Sequence, residues 1–296
     1  MGGAFVALAD DSSATWWNPA GLAAGPFFDL ALGRAAADTG DGVPAHRVRA
    51  TWLSAGTPPL GLSYYRLRII DIPTAPDGGD REDGGVVVPL RALSASQYGV
   101  TLVQTLFSGV HVGTTLKYVR ASGFIDERAM PEAGGPSQLL DQAAAPDGGE
   151  TEGAFDLDVG ILAVHGPVRL GAVVRNVREP EFGGLRLPRA VRVGAAFAGS
   201  EAGRVPVTVA VDVDLRAYQM ASGDRQVVAV GGEGWLFGRR FGIRAGARFN
   251  VVGAEERVVT TGASVAVRTG LYVDAHVARG GADEERGWGL AARVSF

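Results

Sequence analysis

Alternation of apolar and polar residues with a period of two dominates the pattern of this chain. Every second residue from Val205 to Leu215 is valine or leucine, and the opposite face carries Asp212 and Asp214. A period of two is typical of a β-strand with one apolar face, because successive side chains point to opposite sides of the strand. The segment is therefore predicted to be a strand.

Fourteen segments share this alternation. Most are about ten residues or longer, which is enough for a tilted strand to cross a bilayer. The predicted strands are residues 26–35, 46–56, 59–71, 92–106, 109–121, 153–164, 167–178, 189–198, 205–216, 226–236, 241–250, 258–268, 270–279 and 287–296.

The connections between the predicted strands alternate strictly between short and long. The two longest, residues 72–91 and 122–152, are polar and rich in acidic residues and glycine. Membrane barrels join their strands in this way, with long outer loops and short periplasmic turns. We therefore expect 72–91 and 122–152 to be outer loops.

Composition favours the same class of protein. Nearly all of the 28 basic residues are arginine, whereas soluble surfaces usually carry lysine and glutamate. The chain has no cysteine, which excludes disulfides, thiolate metal sites and cysteine nucleophiles. A net charge of −4 argues against nucleic acid as a partner. The sequence predicts an all-β, 14-stranded antiparallel transmembrane β-barrel; a soluble all-β protein is the alternative and would need its polar face in solvent.

Residues 1–25 do not alternate and are predicted to form a short plug. Asp10 and its neighbours can cap a short helix, and the step from Asn18 to Pro19 ends it. A 14-stranded barrel has a lumen too wide for strand side chains alone to fill. We therefore divide the chain into an N-terminal hatch, 1–25, and a barrel, 26–296.

The hatch sequence GGAFVALADDSSATWWNPAGLA resembles the N-terminal motif of the FadL-like outer-membrane barrels, which include long-chain fatty-acid transporters and PorV/PorQ-type proteins. The terminal ARVSF, ending at Phe296, is similar to the signal read by the outer-membrane insertion machinery. The resemblance covers the whole chain. It implies that the hatch is built on Asp10, Asp11, Trp16, Trp17, Asn18, Pro19 and Gly21.

The resemblance also implies a location and a function. It implies a Gram-negative outer-membrane channel or transporter, set in outer-membrane lipid, for hydrophobic or amphipathic small molecules such as fatty acids. The alternative is a PorV/PorQ-type accessory protein whose outer loops bind cargo or other secretion-system proteins. In the family the motif follows a signal peptide, so Met1 lies at an internal position and the signal peptide is presumed missing from this chain.

Charged side chains on the polar strand faces are candidates for the lumen. They either pair with carboxylates and fix the barrel, or bind an anionic head group. The candidates for ligand contact are Arg192, Arg244, Arg248, Arg293 and His276. Trp16 and Trp17 likewise have two interpretations. They either line the bottom of a ligand pocket or pack between the hatch and the barrel wall.

The apolar pattern changes face within the third predicted strand. Leu62 and Tyr64 share one face, whereas Tyr65 and the apolar residues after it share the other. Such a change is typical of a bulge, and Pro58 and Pro59 just before it would weaken pairing. In the fatty-acid transporters a kink in this strand opens a lateral exit, so we expect a lateral opening here or, alternatively, a shifted register.

Catalysis has little support in the sequence. His276 shares a strand face with Asp274, which suggests a base and its orienting acid, but no GxSxG nucleophile motif accompanies them. A side chain that fills the lumen is the simpler interpretation of His276. We predict no enzyme activity, no metal site and no cofactor.

Overall fold

The structure is a computed structural model. It describes residues 1–39, 45–72, 81–82, 85–129, 135–142, 150–199, 206–220, 223–253, 256–280 and 286–296. None of the helices in these ranges is long and apolar enough to cross a membrane.

Fourteen long strands form the wall among the described residues. They are β1 (Asp29–Asp38), β2 (Ala45–Thr57), β3 (Leu60–Ile72), β4 (Gly85–Phe107), β5 (Val110–Ala129), β6 (Glu152–His165), β7 (Val168–Arg175), β8 (Ala190–Gly199), β9 (Val207–Asp214), β10 (Val227–Leu236), β11 (Phe241–Asn250), β12 (Arg257–Arg268), β13 (Leu271–Arg279) and β14 (Arg286–Ser295). Each pairs antiparallel with its neighbours in the chain, and β1 pairs with β14 to close the barrel. The predicted 14-stranded barrel is confirmed.

The two faces of the wall differ as the alternation predicts. On β9, Val207, Val209 and Val211 point outward and are 41% to 50% exposed, whereas Asp212 and Asp214 point inward and are 1% exposed. An apolar outer wall of this kind needs hydrocarbon around it. The soluble alternative is wrong, because the polar face is buried inside the barrel.

Residues 1–25, which we continue to call the hatch, lie in the lumen. They contain a short helix, α1 (Ala14–Trp17), followed by a 3₁₀ turn at Pro19–Ala24. Asp11 accepts hydrogen bonds from the backbone and hydroxyl of Ser13, the N-cap of α1. The barrel leaves room for the hatch because inward-facing wall positions carry glycine.

Strands β4 and β5 continue into the segments predicted to be outer loops. Residues 85–91 and 122–129 are strand, and α2 (Gly135–Gln142) follows β5. The remaining parts of those loops, 73–80, 83–84, 130–134 and 143–149, lie outside the described residues. The strands extend because these segments also contain apolar residues among their charges and glycines.

Two apolar clusters stabilise the extended strands. On the outside, Leu139 and Leu140 of α2 cover Ile70, Ile72 and Leu90, all of which are buried. On the inside, a short hairpin of Glu181–Phe182 and Leu185–Arg186 turns into the lumen. Its Phe182 packs against the inward side chains Leu93, Ala95, Val119 and Ala121.

The predicted bulge in β3 is absent. Pairing of β3 with β2 and with β4 runs in unbroken register from Leu60 to Asp71, and Pro58 and Pro59 lie in the turn before it. Tyr65 points inward to the hatch, while Tyr64 points outward and packs on Tyr98. The apolar pattern changes face because the surroundings of the wall change along β3. A lateral opening would need a break in the hydrogen-bond ladder, and β3 has no such break.

Candidate functional site

Asn18 joins the hatch to itself and to the wall. Its side-chain amide donates to the carbonyl oxygens of Val6, 2.9 Å away, and Ile161 on β6, 3.0 Å away. Its side-chain oxygen accepts from the backbone of Ala20 at 3.2 Å, which holds the 3₁₀ turn open. The residue is fully buried, and Gly160 on β6 lies so close that a Cβ there would be 2.0 Å from the Asn18 side-chain oxygen.

Two ion pairs fix the hatch near the short-turn end of the barrel, where β-strands join through their short connections. Asp10 pairs with Arg169 at 2.9 Å, and Asp11 pairs with Arg293 at 2.7 Å. Desolvation inside the barrel raises the pKa of the Asp10 carboxyl, against the lowering effect of Arg169.

Two further carboxylates hold the hatch backbone. Asp212 on β9 accepts hydrogen bonds from the backbone of Phe5 and Val6, at 2.7 and 2.9 Å. Asp29 on β1 accepts from the backbone of Ser12 at 2.9 Å. The hatch is thus held by charged side chains of strands on several sides of the lumen.

The paired tryptophans have different surroundings. Trp17 packs against Phe5 within the hatch, with ring centroids 5.8 Å apart. Trp16 instead packs on Tyr65 of β3, at 4.9 Å, and the guanidinium of Arg175 on β7 lies 5.3 Å over its ring. Trp16 is half-buried, so part of its surface remains available to a small molecule.

Three of the predicted lumen arginines are bound to carboxylates. Arg192 forms a bidentate pair with Asp214, at 2.6 and 2.9 Å. Arg244 pairs with Glu233 at 3.1 Å and with Asp274 at 3.2 Å. The third, Arg293, is the hatch pair described above. Their charges are compensated, which favours the interpretation of a network that fixes the barrel.

The two other predicted candidates lie beside this network. His276 and Arg244 flank Gly262, and the imidazole of His276 fills the space left by the missing side chain of Gly289. Arg248 lies on the inward face of β11, four residues from Arg244. Asp274 binds Arg244 and Ser264, so its described contacts do not make it the orienting acid of His276.

Arg175 was not among the predicted ligand candidates. Within the described ranges of the chain it has no carboxylate at ion-pairing distance, and its cross-strand neighbour on β8 is Ala190. Cross-strand register accounts for two of the paired lumen cations. Arg192 lies directly opposite Asp214 and Lys117 directly opposite Asp156, and both pairs form ion pairs.

A cavity of about 330 Å³ lies below the hatch, at the short-turn end. Trp235 and Tyr272 contribute aromatic surface to it. The ion pair of Asp11 and Arg293 lines its hatch side. Trp16, Tyr65 and Arg175 form a cluster above the hatch, which we call the Trp16 cluster. This cluster and the cavity below lie on the two sides of the hatch.

Comparisons with known proteins identify the fold. No protein-family model matches the sequence, and no curated protein matches it. Solved structures do match. The CymD monoaromatic hydrocarbon channel superposes with a TM-score of 0.69 at 13% identity, over 98% of this chain and 94% of that one.

Two further structures match over nearly their whole length. A Pseudomonas aeruginosa FadL homologue gives a TM-score of 0.63 at 12% identity, over 99% of this chain and 96% of that one. The P. putida toluene transporter TodX gives 0.62 at 12% identity, over 96% and 94%. The chain therefore has the fold of the FadL-like outer-membrane β-barrels, as the hatch motif predicted.

Proposed function

We propose that the protein is an outer-membrane channel for hydrophobic or amphipathic small molecules. The observation that carries this proposal is the hatch seated inside a 14-stranded barrel, with the exposed part of Trp16 beside Tyr65 and Arg175. Apolar and aromatic surfaces with a few convergent polar groups are typical of small-molecule sites. Two structural neighbours, a monoaromatic hydrocarbon channel and a toluene transporter, support the same class of ligand.

Arg175 gives the site a positive charge that can bind a negatively charged group of the ligand. A guanidinium with no carboxylate partner in the described residues can bind a carboxylate with two parallel hydrogen bonds. The aromatic rings of Trp16 and Tyr65 would contact the apolar part of the same molecule. A fatty acid has both parts, so we propose a medium-chain or long-chain carboxylate as the amphipathic ligand.

Passage requires the hatch to move, because its contacts join it to the wall on several sides. Ser12 of the hatch and Ser54 of β2 are both buried, and their hydroxyl oxygens lie 3.0 Å apart. Movement toward or away from β2 would break this contact. It would also connect the Trp16 cluster to the cavity on the other side.

A reversible cross-link tests the channel directly. The chain has no cysteine, so Ser12→Cys with Ser54→Cys introduces one possible disulfide at a contact of suitable separation. We expect the oxidised variant, made in a Gram-negative host that lacks its own transporter, to lose uptake of radiolabelled toluene and laurate. Reduction with dithiothreitol should restore uptake.

Single-cysteine variants are the matched controls. Ser12→Cys and Ser54→Cys alone should transport equally with and without reductant. Uptake by the oxidised double variant equal to that of the wild type would show that the hatch does not gate passage. If the folded wild type takes up neither toluene nor laurate, the channel proposal itself is overturned.

Substitution of Arg175 tests the charged part of the ligand. Arg175→Met should lower laurate uptake by at least about tenfold, since a charge-assisted hydrogen bond contributes roughly 1.5–3 kcal/mol. Toluene uptake should not change, and Arg175→Lys should retain most laurate uptake. An equal loss for both compounds would remove Arg175 from carboxylate binding and leave it a role in seating Trp16.

A further inference from the structure

A row of aromatic side chains crosses the outer wall over β3 to β6. Tyr64, Tyr98, Tyr118 and Phe155 are consecutive cross-strand partners that point outward. The rings of Tyr64 and Tyr98 lie 5.1 Å apart, as do those of Tyr118 and Phe155. Aromatic girdles of this kind mark the boundary between hydrocarbon and head groups.

The height of this row agrees with a membrane boundary. Val110 begins β5 at the short-turn end, and Tyr118 lies eight residues further on the same outward face. That separation is ~27 Å along the strand, or roughly 20 Å along the barrel axis at the usual tilt. On β5, residues beyond Tyr118 therefore lie at the level of the head groups, and Arg49 and Arg68, also eight residues from the short-turn ends of β2 and β3, lie at a similar height.

Two outward rows rich in arginine follow immediately beyond the aromatic row. They are defined by cross-strand register on β1 to β5. The first row is Arg34, Thr51, Arg66, Ser96 and Arg120, and the second is Arg49, Arg68, Ser94 and Ser122. We call these nine residues the arginine rows.

The composition of the arginine rows suits an anion. The rows contain five arginines, no acidic residue, and four serines or threonines whose small side chains leave space and offer hydroxyl donors. Arg49 and Arg68 are direct cross-strand partners, and like charges so placed repel each other. An anion beside this pair would reduce the repulsion.

Neighbouring structure bounds the site on its outer side. Arg47, one pair further along β2, is already bound to Asp38 at 2.7 Å and to Asp141 of α2. Above it, α2 covers the wall with Leu139 and Leu140. The arginine rows are thus enclosed between the aromatic row and α2.

The arginine rows are confined to one side of the barrel. On β7 to β11, the outward side chains of the described residues are all apolar or glycine, for example Val168, Leu170, Phe197, Val209 and Ile243. A generic preference for arginine at the membrane boundary would distribute the residues around the wall. Outward arginines also occur at the outer ends of β12 to β14, at Arg257, Arg279 and Arg286, so these residues cover one contiguous side of the barrel, and the arginine rows are its densest part.

We propose that the arginine rows bind the head group of a phosphorylated glycolipid of the outer leaflet. Long loops face outward in bacterial barrels, so these rows meet the outer leaflet. Guanidinium groups bind phosphate with paired hydrogen bonds, and basic pockets at membrane boundaries bind anionic head groups.

The width of the site favours a glycolipid with more than one phosphate. From β1 to β5 the rows span four strand spacings, or about 19 Å. A disaccharide lipid with a phosphate at each end matches a site of this width better than the single phosphate of a glycerophospholipid. The acyl chains would lie along the apolar wall below the aromatic row.

Native mass spectrometry of the full chain in dodecyl maltoside tests the proposal. The probes are diphosphorylated lipid A, the same lipid after enzymatic dephosphorylation, and phosphatidylglycerol. We expect retention of diphosphorylated lipid A at roughly tenfold lower concentration than the other two. Equal retention of dephosphorylated lipid A or of phosphatidylglycerol would overturn the assignment.

Two matched variants locate the binding. R49S/R66S/R68S/R120S should lose the preference for diphosphorylated lipid A. R186S/R216S/R240S/R268S, which removes the same charge from exposed positions elsewhere, should keep it. Heat-modifiable gel mobility confirms that each variant is folded. Loss in both variants, or in neither, contradicts the site.

Light scattering excludes the competing occupant. If the wild type forms a dimer that the R49S/R66S/R68S/R120S variant does not form, the rows belong to an interface with a second copy, and the lipid assignment is wrong. A monomer in both cases agrees with lipid binding. None of these results depends on whether the barrel transports hydrophobic molecules.

Discussion

The side-chain amide of Asn18 donates to the carbonyl oxygen of Ile161, 3.0 Å away, across a separation of 143 residues in the sequence. This bond ties the turn of the hatch to the middle of β6. It forms because Gly160, next to Ile161, leaves the inward face of β6 without a side chain. The hatch motif and a glycine on the wall are therefore parts of one contact.

We predict that Gly160→Ala displaces the hatch while the barrel stays folded. The added Cβ would lie 2.0 Å from the Asn18 side-chain oxygen, which no real contact tolerates. Hydrogen exchange of residues 14–21 should become faster, and heat-modifiable mobility should stay unchanged. Gly232→Ala is the matched control, because its Cβ would meet nothing closer than 3.4 Å. Unchanged exchange in Gly160→Ala would show that the hatch accommodates the methyl group.

We predict that Asp214→Ala strongly destabilises the barrel. Asp214 is 1% exposed, binds Arg192 through both oxygens, and accepts from the backbone of Val227 at 2.9 Å. Removing one partner of a buried pair costs about 3–5 kcal/mol, because the other charge stays buried. Urea unfolding in micelles measures the loss.

The double variant R192M/D214A separates charge from packing. It should unfold at a higher urea concentration than Asp214→Ala alone, since no uncompensated guanidinium remains. Glu181→Ala, at a pair exposed to solvent, should change stability by less than about 1 kcal/mol. A similarly small effect of Asp214→Ala would contradict a structural role for the pair.

We predict that D10N/D11N loosens the hatch at the short-turn end. Each amide keeps the shape of the carboxylate and removes the charge that binds Arg169 or Arg293. The pairs are partly exposed, so their combined loss is about 1 kcal/mol, or roughly a fivefold rise in the population of displaced hatch. Planar-bilayer recordings should show more frequent openings, with Glu181→Gln as the control. If the recordings do not change, the contacts of Asn18 and Asp212, and not these ion pairs, keep the hatch in place.

We predict that Leu140→Asp releases α2 from the outer wall. Leu140 is 2% exposed in the cluster with Ile70, Ile72 and Leu90, and a carboxylate there would be buried without a partner. Protease should then cleave within residues 135–142 faster than in the wild type, where Leu139 and Leu140 hold α2 against the wall. Uptake should stay close to the wild-type level, since α2 lies outside the lumen. Gln138→Asp, at an exposed position on the same helix, is the control.

The face of each residue on a strand could be read from the sequence, but the surroundings of that face could not. Tyr64 and Tyr65 illustrate the difference. Their apolar neighbours change sides, which the sequence alone attributes to a bulge, whereas β3 is regular. The change reflects the hatch on the inside and the arginine rows on the outside, and both depend on residues distant in sequence.

The lumen charges show the same limit. Arg192, Arg244 and Arg175 are equivalent in the sequence, because each is an arginine on a polar strand face. Register across the sheet separates them, since it sets Arg192 opposite Asp214 and Arg244 opposite Glu233 but Arg175 opposite Ala190. A single sequence does not contain this register to within one residue, and a slip of one residue exchanges the two faces.

The sequence by itself determined the number of strands and the order of long and short connections, and it predicted a hatch at the N-terminus. These follow from a period of two and from local turn and capping chemistry, which act over a few residues. The tertiary structure decided which cations are paired, how far β4 and β5 extend, and where α2 packs. Those features depend on contacts between strands and on apolar clusters assembled from distant segments, and only the closed barrel brings these together.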